Sequence, residues 1–156
     1  MFRFIIHNLS PLKHVPFFAL WFDAAAMIWN MLFSPEITHT IEEIEHEVSA
    51  WRGVSTSLHK FGGVQFNYGG KELGHIHGHG IVDVLFSRRI KTSLIREERA
   101  EDHHSFKRSG WVSYYIRSAA DRDGALYLLS LAYQKSAGCT TRVPDTPVPL
   151  SAGGHA

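Results

Sequence analysis

The stretch Lys71-Glu-Leu-Gly-His-Ile-His-Gly-His-Gly80 sets His75, His77 and His79 at every second position behind Glu72, and Glu101-Asp-His-His104 adds His103 and His104. Residues of these types support three chemistries. Two or three neutral imidazoles, with a carboxylate and an open position, would hold zinc or iron. Without a metal, a histidine near its ordinary pKa would take a proton from an acidic substrate while a second imidazole steadies the anion. Alternatively, glycine-flanked histidines simply cap a hairpin, with their rings in solvent or bonded to backbone. Spacing alone leaves all three open.

The elements that must position these groups follow from the pattern. On a strand over 71–77, Leu73, His75 and His77 project to one face and Glu72, Gly74 and Ile76 to the other, with the two imidazoles about 7 Å apart at Cα. The return strand Ile81-Val-Asp-Val-Leu-Phe86 brings Asp83 back toward the hairpin. A cluster of His75, His77, Asp83, Glu101 and His103 or His104 is therefore expected. Trp111 and Tyr114 could line an aromatic pocket, although aromatic residues on a strand are more often core. Arg88, Arg89 and Lys91 open a surface helix and read as a solvated face. Ser109, Ser113 and Ser130 lie in no nucleophile-elbow context, and no glycine loop precedes a helix to cradle phosphate.

Around the motif, short β-branched and aromatic runs separated by Gly62-Gly63, Gly69-Gly70 and Gly78/Gly80 predict strands near 54–60, 63–68, 71–77 and 80–86. Residues 35–50 form a helix with Ser34 at the N-cap, Pro35 at the first position and Ile37, Ile41, Ile44 and Val48 on one stripe. The segment from Arg88 is helical in its first half, Gly110–Ser118 is a strand, and Asp121–Ser136 is an amphipathic helix. The fold class is α+β: an antiparallel sheet of four to five strands with helices mainly on one face.

The chain is expected to divide into an apolar N-terminal segment (1–33), an α+β domain (34–136) and a disordered tail (137–156). From Phe17 to Phe33 only Asp23 and Asn30 are clearly polar. A helix of that length spans roughly 25 Å, short of the roughly 30 Å hydrocarbon core, and Asp23 opposes insertion. It suits packing on its own domain or a partner, or peripheral membrane contact through 17–33; a cleaved signal is the weakest fit. A cytoplasmic location, with membrane association open, is the expectation. The composition, 44% hydrophobic and 20% charged with net charge +1, argues against nucleic acid. The single cysteine, Cys139, forbids an internal disulfide and a cysteine-based zinc cage.

Lys60-Phe-Gly-Gly63, Phe66, the 71–78 motif, Val82-Asp83, Ala100–His104, Ser109-Gly-Trp111 and the closing Ser130–Ser136 together resemble the luciferase-type domain family, named for fungal luciferase. In the fungal enzyme the corresponding stretch runs Arg-Glu-Ile-Ala-His-Met-His, so Glu72, His75 and His77 match and Gly74 replaces an alanine. The resemblance implies a cofactor-independent oxygenase that joins O₂ to a flat, enolisable phenolic or pyrone compound. It implies His75 or His77 as base, the other imidazole or His104 steadying the anion, and Glu72 orienting a histidine. Asp83, His103, Trp111 and Tyr114 would then contact substrate. The alternative is a non-catalytic small-molecule or metal-binding module, with zinc or iron on His75, His77 and His104.

Overall fold

The computed structural model describes residues 34–103 and 105–138, together with the helical residues Trp21, Ala24, Ala25, Ile28 and Trp29. The expectations for the rest of the N-terminal segment, for His104 and for the tail from 139 onward lie outside the described residues. Among the described residues, no helix is long and apolar enough to cross a membrane.

Helix α1 (Pro35–Ser49) starts at a proline whose fixed φ suits the first turn, and Ser34 holds the N-cap position without a side-chain cap bond. Four strands follow: β1 (Val54–Leu58), β2 (Val64–Tyr68), β3 (Lys71–Ile76) and β4 (Ile81–Leu85). Helix α2 (Arg88–Arg96) is capped by Ser87, whose hydroxyl accepts from the Ile90 N–H. Then come β5 (Glu101–Asp102), β6 (Trp111–Tyr115), a short 3₁₀ turn and α3 (Arg122–Ser136).

The sheet has six strands in the order β1-β2-β3-β4-β6-β5, with every neighbouring pair antiparallel. The extra strand relative to expectation is β5, whose two residues pair with Ser113 and Val112 of β6. Two residues show no periodicity, so only the neighbouring strand reveals them.

Helices α1 and α3 pack together and against one face of the sheet. Ile44 and Val48 of α1 and Leu128 and Leu129 of α3 meet Phe66, Leu73, Ile76, Val82, Val84 and Val112 there, all essentially inaccessible. Burying each of these large side chains stabilises the fold by about 1.5–3 kcal/mol. Gly74 makes the approach of β3, β4 and α3 possible: a Cβ there would stand 2.5 Å from the Asp83 carbonyl oxygen and 3.3 Å from Leu129 Cδ2. The opposite face of the sheet holds the polar cluster.

Candidate functional site

Strand register decides which side chains share that second face. His75 pairs with Gln65 on one side and Asp83 on the other, and Asp83 pairs with Ser113, so these residues project together. His59 and His77 continue the same face at the hairpin ends, where the His59 N–H donates to Gly63 O and the His77 N–H to Ile81 O.

The parity expected for β3 requires one correction. Phe66 pairs with Gly74 but Asn67 pairs with Glu72, so Leu73 is the extra residue of a bulge. Leu73 therefore joins the core at 1% exposure, and Glu72 turns to the face of His75. Glu72 Oε1 lies 2.6 Å from His75 Nδ1.

Asp83 is the centre of the cluster. Its Oδ1 accepts from the Ser113 hydroxyl at 2.5 Å. Its Oδ2 lies 3.4 Å from His75 Nε2, 3.7 Å from His77 Nε2 and 3.5 Å from His103 Nε2, distances of ion pairs rather than of close hydrogen bonds. Burial opposes the Asp83 charge, but the imidazoles of His103, His75 and His77 outweigh it and hold the carboxyl far below the usual range. Burial likewise pulls the His75 pKa down, and the Asp83 and Glu72 carboxylates beside it overcome that, so the pKa rises. Glu72 is opposed by burial too, yet its bond to His75 keeps its pKa below the ordinary value.

His59, which the sequence motif did not single out, completes the floor. Its ring stacks on that of His75 with centroids 3.7 Å apart and planes at 11°. Burial and the neighbouring His75 charge lower its pKa to about 4, so His59 is neutral where His75 is protonated. The available signal was its place just before the Lys60-Phe-Gly-Gly63 turn. A tight hairpin there returns His59 beside the end of β3. Gly63, at φ +80°, approaches the Ile76–His77 backbone where no Cβ would fit.

Hydrogen bonds assign two tautomers. The Ser105 and Phe106 N–H groups donate to His103 Nδ1 at 3.1 Å, so neutral His103 carries its proton on Nε2, facing Asp83. The Phe61 N–H donates to His59 Nδ1 at 3.4 Å, which sets the His59 proton on Nε2, 4.0 Å from Glu72.

Of the other candidates, Trp111 stands beside the cluster, its ring centroid 5.3 Å from that of His75 and 6.2 Å from that of His103. Tyr114 does not join it. Tyr114 pairs with Val82, on the helix-covered face, and its hydroxyl lies 3.5 Å from Asp121. Residues three apart on a strand face opposite ways, so Trp111 and Tyr114 cannot both line one side. Glu101 pairs in register with Ser113 on the edge strand, but it is half exposed and forms its ion pair with Arg117 at 3.2 Å.

Residues 70–132 match the Luciferase domain family. That stretch is similar to the luciferase-type domain. No curated protein and no solved structure matches the chain. The matched stretch of the luciferase-type domain runs from the β2–β3 turn into α3 and includes Glu72, His75, His77, Asp83, His103, Trp111 and Ser113. His59 and the β1–β2 hairpin precede it.

Three ring nitrogens, from His59, His75 and His77, come within 4.8 Å of one another and could hold a metal ion. Imidazole lone pairs lie in the ring plane, however, and stacked rings direct them side by side rather than at one point. A shared ion would require the His59 ring to turn. Neutral His103, protonated on Nε2, offers no lone pair toward the centre.

Proposed function

We propose that this luciferase-type domain is an oxygenase that acts without a cofactor on a flat, enolisable phenolic or pyrone compound. The observation that carries this reading is His75, set between Glu72 on Nδ1 and Asp83 on Nε2 and so favoured as imidazolium. Both ring N–H groups of that imidazolium face carboxylates, so it holds Glu72 and Asp83 in a fixed polar frame beneath the substrate rather than touching the anion itself. His77, backed by Asp83, takes the proton of the substrate hydroxyl. The electron-rich anion left behind then reacts with O₂. Glu72 orients His75 and keeps it charged, and Trp111 offers a flat surface next to it. His103, its proton turned toward Asp83, holds that carboxylate in place.

Oxygen uptake with a series of hydroxypyrones tests this reading. Uptake by the native chain that persists after exhaustive chelation, and falls at least about a hundredfold in His77→Ala and His75→Ala, is the expected result. Absence of uptake with every enolisable compound would sink it.

A second reading rests on the His59, His75 and His77 grouping: the site binds a divalent transition metal, with Glu72 as the outer carboxylate on His75. Elemental analysis of the native chain beside His59→Ala decides between them, because stoichiometric metal lost in the variant requires the second reading.

A further inference from the structure

The floor of the site is bordered by two exposed aromatic side chains, one from each side of the sheet. Phe61, 39% exposed, sits in the β1–β2 turn, and Phe106, 50% exposed, in the β5–β6 connection. β1 and β5 are the two edge strands, so these loops flank the face on which the imidazoles lie. The Phe61 ring stands 5.6 Å from His59, edge on, and the Phe106 ring 5.0 Å from His103. With the His59–His75 stack and Trp111 between them, the rings form a continuous array across the floor.

The two loops also attach to the site in the same manner. Each phenylalanine donates its own backbone N–H to Nδ1 of a site histidine, Phe61 to His59 and Phe106 to His103. The phenylalanine positions are thereby tied to the imidazoles, while the side chains remain open to solvent. Large aromatic groups held at a defined place beside a charged floor present the apolar contact and the polar group that together orient a flat ligand. A saturated ring would lose the face-to-edge contact.

We propose that Phe61 and Phe106 are the lateral walls that seat a planar aromatic hydroxy compound over the histidine floor and select it against non-planar molecules. This deepens the functional reading above and rests on it for the chemistry, but the seat is a binding property and is tested as one.

Fluorescence anisotropy of 7-hydroxycoumarin titrated with the full chain supplies the measurement, with cyclohexanecarboxylate as the non-planar competitor. The expected result is saturable binding that cyclohexanecarboxylate does not displace. Phe61→Leu and Phe106→Leu should each weaken it roughly threefold to tenfold, the scale of one aromatic contact. Leu58→Ala, at a 73% exposed apolar position of β1, should leave it unchanged. Both phenylalanines are exposed, so unaltered melting curves are expected and would separate seating from folding. The seat is overturned if the native chain does not bind the coumarin, if the competitor displaces it, or if both leucine variants bind like the native chain. Phenylalanine-dependent binding without oxygen uptake on any hydroxypyrone would retain the seat and sink the oxygenase. Uptake with an unaltered KM in both variants would do the reverse.

Discussion

His75 Nδ1 and Glu72 Oε1 are 2.6 Å apart, although a regular strand would direct residues three apart to opposite faces of the sheet. The bulge at Leu73 makes the contact possible, and with Asp83 on the other ring nitrogen the contact helps to raise the His75 pKa.

Glu72→Gln should therefore lower the His75 pKa, since the bond remains but the charge is lost. A raised folded-state pKa contributes stability that is complete below the unfolded value of about 6.5 and disappears as pH rises through the folded value. In Glu72→Gln that contribution should be smaller and its loss complete at lower pH. Histidine side-chain resonances followed by NMR through a pH titration provide the check, and an unmoved His75 midpoint would remove Glu72 from the positioning role.

His59 acts in the opposite sense. Its folded pKa of about 4 lies below the unfolded value, so between these pH values the unfolded chain binds the extra proton. Its contribution is fully present above about pH 6.5 and is lost as pH falls toward 4, a change of up to about 3 kcal/mol. Urea unfolding at pH 7 and pH 4.5 should show a smaller acid-side loss in His59→Gln than in the native chain. Equal losses would mean that His59 is not held neutral.

Asp83→Asn removes the one buried charge that faces three imidazoles and accepts from Ser113. The His75 cation is left with Glu72 alone, and a cost of about 3–5 kcal/mol is expected. Ser113→Ala leaves the charge in place and should cost only about 1–2 kcal/mol. Denaturation midpoints of the two variants should fall in that order, and the reverse order would show that the hydroxyl matters more than the ion pairs.

Gly74→Ala tests how closely the layers meet. The added methyl would press on the β4 backbone, with Val84 Cα at 3.3 Å, and on Leu129 of α3. Overpacking of this kind costs about 1–3 kcal/mol. A drop in melting temperature accompanied by altered His75 chemical shifts is the expected outcome; an unchanged melting temperature would mean that α3 moves aside freely.

Much of this molecule is legible in its chain. Glycine pairs at 62–63 and 69–70 and the alternation of apolar residues locate β1 to β4 within two residues of their ends, because turn chemistry and period-two patterning are local properties. The same alternation places His75 and His77 on one face and returns Asp83 beside them. The side of the sheet to which Glu72 turns was decided only by the tertiary structure, since a bulge exists only in the pairing of β2 with β3. His59 and Ser113 entered the site through register with neighbouring strands, not through any spacing within their own segments. The charge states followed from the same source: an imidazole between two carboxylates and another stacked against it differ in pKa only because folding excludes water and sets their distances. The sequence by itself determined which chemical groups are present and roughly which strands carry them. Only the packed sheet decided which of those groups meet, because strand register and burial are properties of the neighbours that each strand acquires.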